Sequence, residues 1–100
     1  MSGSVWAWFM ESWPPRVGRE DKTVWRIEGP EQQAQPTFTL RGPGGAVGRL
    51  DWGPQEHGAL TWNRPGREFG TGLFFPSPGC WDAHVELGRT IGDVFVVVVD

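Results

Sequence analysis

The sequence predicts an all-β fold, an antiparallel two-sheet, immunoglobulin-like sandwich of about seven or eight short strands. Three observations lead there. No stretch of the 100 residues sustains a 3.6-residue apolar period. Glycine (15) and proline (9) are abundant but spread between short apolar runs, so they mark turns and not a disordered tract. Those turn-formers recur at the spacing that separates strands in a sandwich. Residues 1–100 form one domain, because two cores cut from so short a chain would each be too small.

The elements follow in order. SVWAWFM (4–10) is apolar on both faces, and Pro14-Pro15 ends its pairing. KTVWRIE (22–28) alternates in part, with Trp25 and Ile27 sharing a face, and GPEQQAQP (29–36) is a polar loop. TFTLR (37–41) alternates cleanly, with Phe38 and Leu40 inward and Thr37, Thr39 and Arg41 outward. GPGG (42–45) is a tight turn whose glycines supply positive φ, and AVGRLDW (46–52) returns with Leu50 and Trp52 inward. Residues 37–52 are therefore expected to form a hairpin.

GPQEHG (53–58) is expected to turn into a strand ALTW (59–62) that buries Trp62. NRPGRE (63–68) reads as a solvated loop holding Arg64, Arg67 and Glu68. FGTGLFFPSPG (69–79) reads as a glycine- and proline-broken approach to the last hairpin. In CWDAHVEL (80–87), Trp81, Ala83, Val85 and Leu87 share one face while Cys80, Asp82, His84 and Glu86 share the other. GRTIG turns the chain. DVFVVVV (93–99) then returns with both faces apolar, the pattern of a strand covered on both sides.

Charge and hydropathy exclude several classes. Net charge is −3 with the signs intermixed, and no positive stripe is available to neutralise phosphates, so no nucleic-acid partner is expected. The longest apolar run, Val94–Val99, is far too short for a membrane span. MSGSVWAWFM lacks the charged, hydrophobic and cleavage regions of a signal peptide, and residues 1–4 read equally as an expression scar. A single cysteine forms no internal disulfide and leaves the compartment open.

GLFFPSPGCWDAHVELGRTIGDVFVVVV (72–99) resembles the closing hairpin of small bacterial immunoglobulin-like β-sandwich proteins, mostly known as hypothetical proteins or lipoproteins. The matching features are Pro76, Gly79, Cys80, Trp81, Gly88 and the 93–99 run. KTVWRI also looks like an early strand of that group, and residues 20–75 match it only loosely. The resemblance implies a sandwich fold and an extracytoplasmic, cell-envelope setting. It implies no reaction, and the secretion signal or lipid anchor usual in that group has no counterpart in this chain.

Three groups of residues are candidates for function. Alternate residues on a strand lie ~6.5–7 Å apart along one face, so Asp82 and His84 could reach one metal ion. Cys80 and His84 are ~13 Å apart by the same rise, too far to share that ion or to act as nucleophile and base. The plainer reading makes 80–86 a polar outer face with Cys80 packed as a small hydrophobe.

Trp25, Trp52, Trp62 and Trp81 fit core positions. Trp6, Trp8 and Trp13 crowd together beside Pro14-Pro15. Trp6 and Trp8 share a face that could cover the core, pair an edge strand across a homodimer, or form a stacking platform for a sugar or a peptide. No catalytic constellation and no cofactor motif is present, so the sequence reads as a non-catalytic binding or interaction module. Its expected ligand is an unidentified protein or carbohydrate, with metal binding at Asp82/His84 as an alternative.

Overall fold

The computed structural model describes residues 4–11, 13–29, 35–57 and 66–100. These form seven antiparallel strands: β1 (Ser4–Phe9), β2 (Asp21–Glu28), β3 (Thr37–Arg41), β4 (Arg49–His57), β5 (Arg67–Phe74), β6 (Gly79–Leu87) and β7 (Thr90–Val98). They are arranged as a four-stranded sheet, β1-β2-β5-β4, and a three-stranded sheet, β3-β6-β7. The expected strand at 59–62, with Trp62, and Arg64 lie outside the described residues.

The core is built from the inner faces of both sheets. β2 and β5 contribute Trp25, Ile27, Phe69 and Leu73; β3, β6 and β7 contribute Leu40, Trp81, Ala83, Val85, Leu87, Val96 and Val98. Trp25 and Trp81 are fully enclosed, as the sequence predicts. Each indole N–H is satisfied, Trp25 by Thr71 Oγ1 at 2.8 Å and Trp81 by the Ser77 carbonyl at 2.9 Å. A buried aromatic with a polar tip requires such partners. Phe38 packs on Trp25 with ring centroids 4.9 Å apart, and Phe75 meets Trp81 edge-on at 5.3 Å.

Four expectations are corrected. First, residues 37–52 are not a hairpin. β3 pairs with β6, β4 pairs with β5, and a short 3₁₀ turn at Pro43–Gly45 carries the chain from one sheet to the other. A single bridge between Arg41 and Val47, made by the Gly48 N–H on the Leu40 carbonyl and the Gly42 N–H on the Ala46 carbonyl, joins the two arms. Second, GPQEH does not turn; it continues β4, with a positive φ at Gly53 and register breaks on both sides of Trp52.

Third, Trp52 is not in the core. Leu50 faces inward opposite Leu73, but the extra residue between Leu50 and Trp52 reverses the facing, and Trp52 pairs with Gly72 on the outer surface. There its indole lies across Gly72 and donates to Glu20 at 2.8 Å. Fourth, 67–74 is a central, buried strand, and Gly72 leaves room for the Trp52 indole lying across it. Glu68, expected in solvent, is fully buried opposite the buried Arg26 of β2.

β7 also departs from the doubly covered strand that its apolar sequence suggests. It is the edge of the smaller sheet. Ile91, Phe95 and Val97 stand on the outer face at 51%, 67% and 58% exposure. Residues 15–17 cross to that edge at its far end, where Val99 donates to the Pro15 carbonyl and accepts from the Val17 N–H.

Candidate functional site

The structure divides the three N-terminal tryptophans. Val5, Ala7 and Phe9 pack toward the core, so Trp6 and Trp8 take the outer face of β1. Trp6 is covered by Arg26, whose guanidinium carbon lies 3.7 Å from the ring centroid. That is cation–π geometry, and it places Trp6 in a surface lattice with β2. Trp8 (36% exposed) and Trp13 (69% exposed) turn toward the open side of β1 instead. Phe9 meets Trp13 with centroids 5.4 Å apart.

Ala7, Trp8, Phe9 and Trp13 line an open groove of about 290 Å³. Its floor has a defined polarity. The Met10 N–H bonds the Lys22 carbonyl, so even-numbered residues of β1 turn their peptide groups toward β2. Val5, Ala7 and Phe9 therefore turn their N–H and C=O groups away from β2; Val5 lies against Gly92 of β7, and Ala7 and Phe9 border the groove. The groove combines an unpaired strand edge with two aromatic walls, one of them an indole largely in water.

The second candidate region is the outer face of β3-β6-β7. Cys80, Asp82, His84 and Glu86 alternate along it, as their spacing predicts. Cys80 is an exposed free thiol and not a packing residue, because the neighbour opposite it is the exposed Val97. His84 is held at both ring nitrogens, Nδ1 to Asp93 Oδ1 and Nε2 to Glu86 Oε2, each at 2.8 Å. Hydrogen bonds to Asp93 and then Glu86 raise its pKa above the ordinary 6.5, so the imidazolium is favoured. Bonding to His84 in turn lowers Asp93, while desolvation and the adjacent Asp93 raise Asp82.

This arrangement makes a poor metal site. A ligating imidazole needs a free lone pair, and both His84 nitrogens are engaged by carboxylates. Among the described residues, no three His, Cys, Asp or Glu side chains are grouped to hold an ion. The same engagement leaves His84 no nitrogen with which to take a proton from Cys80. Asp82 and His84 thus each bond Asp93.

Asp93 itself was missed by sequence reasoning. The signal was available, because the two-residue Gly88-Arg89 turn pairs Leu87 with Thr90 and so sets Asp93 opposite His84. The juxtaposition of Arg26 with Glu68 was also missed, since only the three-dimensional pairing of β2 with β5 brings them together. No helix in the described residues is long and apolar enough to cross a membrane. In comparisons with known proteins, no family model matches the chain and no curated protein is significantly similar to it in sequence.

Proposed function

We propose that the chain is a non-catalytic, immunoglobulin-type binding module of the bacterial cell envelope, taking an extended peptide segment along the open edge of β1 between Trp8 and Trp13. The immunoglobulin-type reading is supported by the strand order, β1-β2-β5-β4 facing β3-β6-β7, which is the order of the constant-type sandwich. The envelope setting rests on the resemblance of residues 72–99.

One observation carries the binding site: the groove of about 290 Å³ whose floor is the free edge at Ala7 and Phe9 and whose walls are Trp8 and Trp13. An extended peptide satisfies both parts of such a site. Its main chain supplies the missing ladder bonds, and its apolar or proline side chains stack between the indoles. A sugar stacked on Trp13 is a second reading, favoured by the 69% exposure of that ring.

The test is a fluorescence titration with linear peptides selected from a phage-displayed library, alongside soluble β-glucan oligosaccharides. Trp13→Ala and Trp8→Ala are each expected to weaken peptide binding at least ~10-fold, as loss of ~1.4 kcal/mol or more does. Trp52→Ala is expected to leave it unchanged. Oligosaccharide binding without peptide binding transfers the assignment to the second reading. Peptide binding indifferent to both groove substitutions refutes the site.

A further inference from the structure

Three aromatic rings among the described residues carry a guanidinium, and each of those arginines has a carboxylate beside it. Arg26 lies 3.7 Å from the Trp6 centroid, and the pairing of β2 with β5 sets Glu68 opposite it. Arg49 lies 3.8 Å from the Phe74 centroid and bonds Asp51 at 2.8 Å. Arg67 lies 5.0 Å from the Phe69 centroid and makes two bonds of 2.8 Å to Glu56. The ring face attracts the cation through its quadrupole, and a carboxylate takes the donors along the guanidinium edge.

The segment that closes the aromatic groove holds two of these three parts. Trp13 supplies a ring, 69% exposed, that packs on Phe9 at a tilt of 50°. Glu11 supplies an exposed carboxylate, two residues from Phe9 and two from Trp13. Among the described residues no arginine or lysine lies over Trp13, and none pairs with Glu11. Arg16, the nearest cation along the chain, is turned instead to the Asp100 carbonyl at 2.6 Å.

We propose that the ligand brings the third part: the peptide bound in this groove presents an arginine, whose guanidinium stacks on Trp13 with its edge toward Glu11. The inference rests on the peptide-binding reading of the groove and adds the side chain that the groove selects.

The openness of the site favours arginine over other side chains. Arg49 keeps 62% of its side-chain surface in water while stacked on Phe74, so this contact needs no enclosed pocket. A guanidinium is weakly hydrated on its faces and can keep its edge donors wet, whereas an ammonium is compact and strongly hydrated. Leucine or proline gains only in proportion to the apolar area it dries, which is small on so open an indole. The net charge of −3 further favours a basic peptide during encounter.

The test uses five peptides, Ac-Val-Ala-Xaa-Ala-Val-NH2, with arginine, citrulline, lysine, leucine or proline at the centre. Each is titrated to ~20 mM while the Trp13 indole N–H is followed by NMR. Citrulline matches arginine in shape and lacks its charge. The arginine peptide is expected to bind at least ~5-fold more tightly than the citrulline peptide, and lysine to fall between them. Trp13→Leu, followed at the Trp8 indole N–H, is expected to abolish that preference, and Glu11→Gln to reduce it ~2-fold. Both positions are exposed, and circular dichroism melts establish that each variant folds. Citrulline, leucine or proline binding as tightly as arginine, or a preference undiminished in either variant, overturns the proposal. No shift with any of the five also overturns it, whereas peptide binding itself stands or falls with the library titration.

Discussion

Replacing Gly72 by alanine tests the outward placement of Trp52, because the two residues lie in contact across β4 and β5. A methyl built on Gly72 would sit 2.2 Å from Trp52 Nε1, 2.6 Å from Cδ1 and 2.8 Å from Cε2. Ordinary carbon contacts are ~3.5–4.0 Å, so the indole has to lift by roughly 1 Å. Lifting it breaks the 2.8 Å bond to Glu20. Overpacking of this kind costs ~1–3 kcal/mol. Trp52 is half-exposed, so Trp52→Ala costs less than the ~3–5 kcal/mol of a core tryptophan, about 1–2 kcal/mol.

With the ring gone, the new methyl has no indole to strike. Alanine is then better than glycine inside a strand by ~0.5–1 kcal/mol. The effect of Gly72→Ala therefore changes sign between the two backgrounds, with a coupling of about 1.5–4 kcal/mol. Urea unfolding of the four proteins by far-UV circular dichroism measures it. An equal cost of Gly72→Ala in both backgrounds, within ~0.5 kcal/mol, refutes the contact and the facing of Trp52.

Three further outcomes are expected. Thr71→Val leaves the enclosed Trp25 N–H without its acceptor and costs ~1–3 kcal/mol in urea unfolding, whereas Thr71→Ser retains the bond and most of the stability. The carboxylates of Asp93 and Glu86 raise the pKa of His84, so its contribution to stability is complete below its ordinary 6.5 and is lost as pH rises through the folded value. The slope is shallow because the groups are about one-third or more exposed; thermal melts above pH ~6.5 are expected to decline in wild type and to flatten in His84→Gln. Cys80 is expected to react with a maleimide in the folded protein at a rate close to that of the urea-unfolded chain, and Cys80→Ser to change stability by less than ~0.5 kcal/mol.

The parts of the fold legible in the sequence are those written in local alternation. In β6, the register Trp81-Ala83-Val85-Leu87 points inward and Cys80-Asp82-His84-Glu86 outward, as the spacing dictates. β3 likewise buries Leu40 and turns Thr37 and Arg41 out. Alternation does not identify the partner strand, so the turn after β3 looks like a hairpin although it carries the chain between sheets. Nor does it register a bulge, and one extra residue after Leu50 is enough to move Trp52 from core to surface. Gly72 reads as a break in β5 because its purpose lies in another strand, where the Trp52 indole lies across it. The candidate site was half legible. Trp8 and Trp13 were singled out by composition, but the free edge at Ala7 and Phe9 depends on which side β2 occupies.

Amide exchange at Ala7 and Phe9, followed by NMR with and without a saturating library-selected peptide, tests the binding site most directly. In the free protein these two amides are expected to exchange fast, while those of Trp6 and Trp8, bonded to β2, are protected. Bound peptide is expected to slow Ala7 and Phe9 by at least ~10-fold as it completes the ladder at the β1 edge. Saturation that leaves both amides exchanging as in the free protein contradicts strand addition at β1.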